Sequence, residues 1–198
     1  LFKYFVIYKP FQVLSQFTPE NSKACLKDFF EVPTDVYPVG RLDYDSEGLL
    51  LLTNDKSLNH RLLHPSFAHE REYRVQVEGL ITNEALQLLA SGITINIDGK
   101  PFRTLPGKAS RLPEHIVIPE RTPPIRFRQN IPTSWIKLVI TEGKNRQVRK
   151  MTAATGFPTL RLIRFRLAGL TLENMLPGDM IDMNQNEVYG KLGLLTHI

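Results

Sequence analysis

Apolar residues occur along this chain in two patterns, unbroken runs and strict alternation, and together these predict most of its strands. Residues 3–9 (Lys-Tyr-Phe-Val-Ile-Tyr-Lys) form a dense run that stops at Pro10. Residues 49–53 (Leu-Leu-Leu-Leu-Thr) form a second run, short enough for a strand and apolar on both faces, so it is expected to be buried. Residues 73–78 alternate, with Tyr73, Val75 and Val77 on one side and Arg74, Gln76 and Glu78 on the other. Residues 135–141 read as a strand, and residues 160–167 as another with cationic side chains at its far end.

Helical spacing fills several of the gaps. Ser22 is placed to cap a short helix through Phe30, and Asn54 or Asp55 to cap one reaching Leu63, where Pro65 ends it. Residues 82–90 form a helix stopped by Gly92, and residues 145–155 one stopped by Gly156 and Pro158. Asp98-Gly99 between residues 93–97 and 100–105 is a two-residue hairpin turn. Residues 101–132 hold seven of the 14 prolines, with a short strand at 115–118, and read as a connection between two lobes. Several helices among many hairpin-joined strands give an α+β fold with a mostly antiparallel sheet.

Composition bounds the class without naming it. The 198 residues are 42% hydrophobic and 23% charged, ordinary for a globular chain. A single cysteine, Cys25, excludes an internal disulfide framework and a cysteine-based zinc cluster, and a cytoplasmic location fits. No apolar run approaches a membrane span, and no association with a membrane is expected. Charge is more telling. Residues 144–166 carry seven cations and no acid, a local +7 against +5 for the whole chain, so the remainder is slightly acidic. A field concentrated in this way attracts phosphate backbones.

Three places could carry chemistry. Asp43 lies in Gly40-Arg41-Leu42-Asp43-Tyr44-Asp45-Ser46-Glu47-Gly48, directly before the apolar run. A carboxylate at a polar bend backed by a buried strand is held rigidly, and Arg41 is spaced to project to its side in extended backbone. The plain alternative is a turn or cap aspartate, although such a turn does not require Asp45 and Glu47 as well. Next, Glu142-Gly143-Lys144-Asn145-Arg146-Gln147-Val148-Arg149-Lys150-Met151 joins a strand end, a glycine turn and a helix start rich in cations. That suits a polyanion, the alternative being a solvated cationic face. Finally, Tyr73 opens its strand either as a core residue or as a ring that stacks on a nucleobase. His60, His64 and His69 lack a metal-ligand pattern, so no metal is expected. The serine-hydrolase elbow, the P-loop and the dinucleotide fingerprint are absent.

Taken together, these motifs resemble the pseudouridine synthases of the RsuA/RluA class. Gly40-Arg41-Leu42-Asp43 with Ser46-Glu47-Gly48-Leu49-Leu50-Leu51-Leu52-Thr53-Asn54-Asp55 is similar to the catalytic motif of that class, and the match extends to Tyr73 and to residues 142–151. The runs Pro123-Pro124-Ile125-Arg126, Ile131-Pro132-Thr133-Ser134-Trp135 and Gly156-Phe157-Pro158-Thr159-Leu160-Arg161-Leu162-Ile163-Arg164 are most similar to members acting on large-subunit (23S) rRNA. The resemblance implies that Asp43 is the essential carboxylate, that Tyr73 contacts a flipped base, and that Arg149 pairs with the carboxylate. It implies that Arg41 helps fill the space the base vacates, and that Lys144, Asn145, Arg146, Gln147, Lys150 and Arg164 contact RNA.

It further implies a monomer with a single catalytic domain over residues 1–198, in two lobes sharing one sheet around a central cleft. Many relatives add an S4-type RNA-binding domain, and none is expected here. Isomerising uridine is neither a redox reaction nor a hydrolysis, so no cofactor is expected. Two other readings share some of these features. A non-catalytic RNA-binding or ribosome-assembly protein shares the basic helix but leaves Asp43 unexplained. A Mg²⁺-dependent nuclease could use Asp43, Asp45 and Glu47, although Arg41 would compete with the metal.

Overall fold

A computed structural model describes residues 1–125 and 130–194. Arg126, part of the Pro-Pro-Ile-Arg run, lies outside the described residues. The chain divides into two compact units, the first Leu1–His69 with Arg164–Ile198 and the second Glu70–Ile163. The crossings therefore fall at residues 69/70 and 163/164. The described proline-rich residues, 101–125 and 130–132, fall within the second unit.

The first unit opens with β1 (Tyr4–Lys9), buried along its whole length. β2 (Tyr37–Pro38) and β3 (Glu47–Thr53) follow, and every residue of β3 is buried, as its unbroken apolar run requires. The helix expected over 22–30 is instead a single 3-10 turn, Leu26–Asp28. Its backbone is already committed elsewhere. The Ala24 carbonyl accepts from Leu14 N–H and Leu26 N–H donates to the Gln16 carbonyl, while Asn21 and Ser22 are left-handed at φ 48° and 56°. α1 (Lys56–Leu63) is capped by Asp55, whose carboxylate accepts from the amides of Ser57 and Leu58.

The second unit runs from β4 (Arg71–Glu78), with the predicted alternation of burial, to α2 (Asn83–Ser91), capped by Thr82 and stopped by Gly92 at φ 83°. β5 (Thr94–Ile97) and β6 (Lys100–Arg103) form the hairpin, and Asp98 and Gly99 both take the positive φ that its tight turn demands. β7 (Lys108–Arg111) has no counterpart in the sequence reading. The strand expected at 115–118 is absent, and Ile116 N–H instead closes a turn on the Pro113 carbonyl. β8 (Thr133–Ile140) pairs antiparallel with both β4 and β7. α3 (Gln147–Ala154) begins two residues later than the sequence predicts, because Arg146 is left-handed at φ 51°. The core of this unit gathers Val75, Val77, Leu89, Ile136, Leu138 and Met151.

β9 (Thr159–Leu167) spans the crossing, its last four residues belonging to the first unit. β10 (Leu170–Thr171) pairs back on β9. β11 (Met180–Met183) lies antiparallel on β1, whose other neighbour is β3. α4 (Gln185–Lys191) closes the first unit with a capping box between Asn184 and Glu187. That unit's core is Phe5, Ile7, Val13, Leu26, Phe30, Val36, Leu50 and Leu52. The class is α+β, as the sequence predicts, and the strand pairs described here are antiparallel.

Candidate active site

The bend that carries Asp43 is fixed from both sides. Upstream, Val39 N–H donates to the Leu51 carbonyl at 2.7 Å, anchoring the approach on β3. Gly40 follows at φ 73°, where a β-carbon would lie 2.9 Å from Leu63 Cδ2. Leu42 is buried, and the Ser15 hydroxyl both accepts from its N–H (3.0 Å) and donates to its carbonyl (2.8 Å). The Tyr44 carbonyl accepts from Gln12 N–H at 2.9 Å, and the Asp43 carbonyl accepts from Ser46 N–H at 3.0 Å. The Asp43 side chain itself is half-buried, at the edge of a backbone with few remaining degrees of freedom. Pre-organised geometry of this kind is what a reacting carboxylate needs.

Arg41 is exposed, 3.5 Å from Gln16 Oε1. β3 begins beyond the bend with Glu47 and Gly48. Gly48 has φ 116°, and a β-carbon there would fall 2.4 Å from the Arg164 carbonyl oxygen. Arg164 is 5% exposed and its Nε donates to the Leu49 carbonyl at 2.8 Å. The guanidinium of Arg164, a residue expected to contact RNA, thus braces the strand behind the bend.

Lys9, which the sequence reading passed over, lies under the same bend. It is fully buried, and its Nζ donates to the carbonyls of Pro10 (2.9 Å) and Val13 (2.7 Å). Burial lowers its pKa to about 7, against the opposing pull of Glu47, Asp45 and Asp43 and with a small further push from Arg164. The acids that a turn alone does not require thus act electrostatically on a buried amine. A lysine next to a proline at a strand end gives little sign of this from sequence alone.

The other candidates belong to the second unit. Tyr73 lies on β4 opposite Leu138, 9% exposed and packed in the apolar core. Beyond β8, the Glu142 carboxylate accepts from Leu105 N–H and from Gln147 Nε2, both at 2.7 Å. Gln147 Oε1 in turn accepts from Lys144 N–H at 2.9 Å. Gln147, also expected to contact RNA, is buried, and its amide closes the loop from inside. That closure leaves Lys144, Asn145 and Arg146 exposed together at the loop's tip, with the Lys144 ammonium 5.2 Å from the Phe102 ring centre. Arg149 and Lys150, on the first turns of α3, are half-buried. Arg161 is 5% exposed, donates to the Pro119 carbonyl and covers the Trp135 ring. The cationic run is thus divided between an outward-facing loop and arginines that serve the scaffold.

His60, His64, Phe67 and His69 form a chain of ring contacts, with centroids between 5.3 and 6.1 Å apart. Among the described residues no group of three His, Cys, Asp or Glu side chains is placed to hold a metal ion. No helix among them is long and apolar enough to cross a membrane.

Comparison with known proteins places the chain in a family. The profile of the RNA pseudouridylate synthase family matches residues 3–154. The chain is 45% identical over 177 residues to the ribosomal large subunit pseudouridine synthase E of Vibrio vulnificus, covering 89% of this chain and 73% of that protein. It is 46% identical over 174 residues to the enzyme of the same name from Xanthomonas axonopodis pv. citri, covering 87% and 89%. With the ribosomal large subunit pseudouridine synthase B of Bacillus subtilis it shares 36% identity over 195 residues, covering 98% and 73%. Among solved structures, a pseudouridylate synthase crystal structure superposes with a TM-score of 0.78 at 26% identity, covering 97% of this chain and 74% of that one. With the family profile spanning both the clamped aspartate bend and the basic loop, the chain belongs to the RNA pseudouridylate synthase family.

Proposed function

We propose that this enzyme converts one uridine of large-subunit (23S) rRNA to pseudouridine, with Asp43 as the catalytic carboxylate. The observation that carries the assignment is the bend itself, its backbone bonded on both sides of a half-buried acid. The relatives named for large-subunit rRNA direct the choice of substrate.

The reaction breaks the bond between ribose C1′ and N1 of the base, turns the base, and joins C1′ to C5. C5 loses a proton and N1 ends with one, so atoms and charge balance without a cofactor. Asp43 serves either as nucleophile toward the sugar or as the base that takes a proton from it. In both roles it must be ionised. An arginine beside a carboxylate favours the charged form, which is the part assigned to Arg149 through the family resemblance. Extruding the target base from folded RNA costs a few kcal/mol. Stacking on Tyr73, worth about 1–3 kcal/mol, and occupation of the gap by Arg41 offset that cost. Lys144, Asn145, Arg146 and Lys150 hold the phosphate backbone. The enzyme is read as a cytoplasmic monomer acting as one catalytic domain.

Mapping pseudouridines in rRNA from cells with and without the gene tests the substrate. Loss of a single large-subunit site is expected on deletion, and an unchanged large-subunit map would contradict the assignment.

A further inference from the structure

Packing leaves one aromatic cluster of the first unit unexplained. From the last turn of α1 onward, His60, His64, Phe67 and His69 follow one another as a ladder of rings, with centroids 5.3, 6.1 and 6.1 Å apart. Rings that serve a core are buried, whereas Phe67 and Leu63 are each 47% exposed and His60 and His64 are exposed as well. The course of the chain does not depend on the ladder, because its backbone is bonded independently. His64 N–H donates to the His60 carbonyl at 3.0 Å, and Phe67 N–H to the His64 carbonyl at 3.2 Å. The His64 ring is oriented too. Ser66 N–H donates to its Nδ1 at 3.3 Å, and the Ser66 hydroxyl lies 2.7 Å from the same atom. With Nδ1 accepting, the neutral ring carries its proton on Nε2.

Charge and position point to the occupant. Residues 56–69 contain Lys56, Arg61 and three histidines and no acid, so the segment suits a polyanion. The other face of α1 is anchored, with Leu58 and Leu62 buried. Its last residue, Leu63, rests on the first residue of the catalytic motif: a β-carbon on Gly40 would lie 2.9 Å from Leu63 Cδ2. An RNA strand delivering a uridine to Asp43 thus has this segment beside it. Unpaired bases are held by stacking on aromatic and histidine rings. We propose that the His64–Phe67 ladder is a stacking platform for an unpaired base of the RNA strand that carries the target uridine. Phe67 supplies the uncharged face. His69, its plane 18° from that of Phe67, braces this ring, and His64 meets it edge to face at 76°. The inference rests on the reading that the chain acts on an RNA uridine at Asp43, and adds where a second base of that RNA is held.

The test compares Phe67→Ala, Phe67→Leu and Phe67→Trp in the full chain. Kd, KM and kcat are measured on a large-subunit rRNA transcript, with the salt dependence of binding and the thermal midpoint. Losing one stacked base should raise Kd and KM of Phe67→Ala about 5–100-fold. Its kcat at saturating RNA should stay within about twofold, and the midpoint and salt slope should hold, since no charge is removed. Phe67→Trp should bind as the wild type does, and Phe67→Leu should not, because leucine is apolar but has no π-face. His64→Ala, a second variant in the ladder, should weaken binding in the same direction. A Phe67→Ala with wild-type Kd overturns the inference, as does a Phe67→Leu that binds normally. Parallel losses of kcat and midpoint overturn it by making the ring structural. A wild-type chain that isomerises no uridine in large-subunit rRNA overturns the underlying assignment. Normal isomerisation beside an unchanged Kd in Phe67→Ala overturns this inference alone.

Discussion

The backbone of Arg164 occupies the space where a β-carbon on Gly48 would be, its carbonyl oxygen 2.4 Å from that position. Gly48 also has φ 116°, a region that side chains rarely enter. Close approach of the two backbones and the turn out of the Asp43 bend therefore require the same residue. Gly48→Ala should cost more than about 2 kcal/mol of stability, since strain and a backbone clash add together. Denaturant unfolding measures it, and a loss under about 0.5 kcal/mol would contradict the packing described.

Asp55 ties three parts of the first unit together. It caps α1 and accepts from the hydroxyls of Tyr4 (2.9 Å) and Tyr189 (2.7 Å), the latter on α4. Burial opposes its ionisation, but the bonds from Tyr189, Leu58, Tyr4 and Ser57 prevail and its pKa is lowered. Because the folded value is the lower one, the stabilisation is present above the ordinary carboxylate pKa. It is lost as pH falls through the folded value. Asp55→Ala should cost about 2–4 kcal/mol, a cap plus two stranded phenols, and should flatten the acid limb of the stability curve. Unfolding midpoints between pH 3 and 7 check both.

Lys9 gives the opposite sign. Its folded pKa, about 7, lies below the ordinary 10.5, so between those values the unfolded chain binds more protons. Stability contributed by this group is therefore lowest below pH 7 and rises as pH climbs toward 10.5, by up to about 1.4 kcal/mol per pH unit. Lys9→Met should remove that slope. Unfolding curves at pH 6.5 to 9.5 for both proteins decide it, and identical slopes would contradict the burial.

The cationic run should separate into two classes. Removing charge at Lys144, Arg146 or Lys150 should reduce the salt dependence of RNA binding by about one unit of log–log slope each. Arg161→Gln and Arg164→Gln should instead lower the thermal midpoint and leave the slope alone. Binding titrations from 50 to 300 mM salt, run beside melts, discriminate between them.

What was legible in the sequence was local. Gly92 stops α2, Asp98-Gly99 sets the hairpin, one of the Asn54-Asp55 pair caps α1, and the leucine run announces a buried β3. Features set by distant partners were not legible. The 22–30 segment has helical composition, but its carbonyls and amides pair with Leu14 and Gln16. β7 and β11 are short and mostly exposed, so no alternation marks them. At the site, the motif around Asp43 and the concentration of cations from Lys144 onward could be read directly. The roles of Gln147, Arg161 and Arg164 could not, because their partners (the Glu142 carboxylate and the carbonyls of Pro119 and Leu49) are set by the fold and no charge pattern reveals them.

The most direct test of the central claim is single-turnover isomerisation by Asp43→Asn on a large-subunit rRNA transcript, with RNA affinity measured in parallel. The account predicts a loss of at least about a thousandfold in rate, on the order of 4 kcal/mol of transition-state stabilisation, with affinity within about threefold of wild type. Pseudouridine formed at a rate within tenfold of wild type would contradict it.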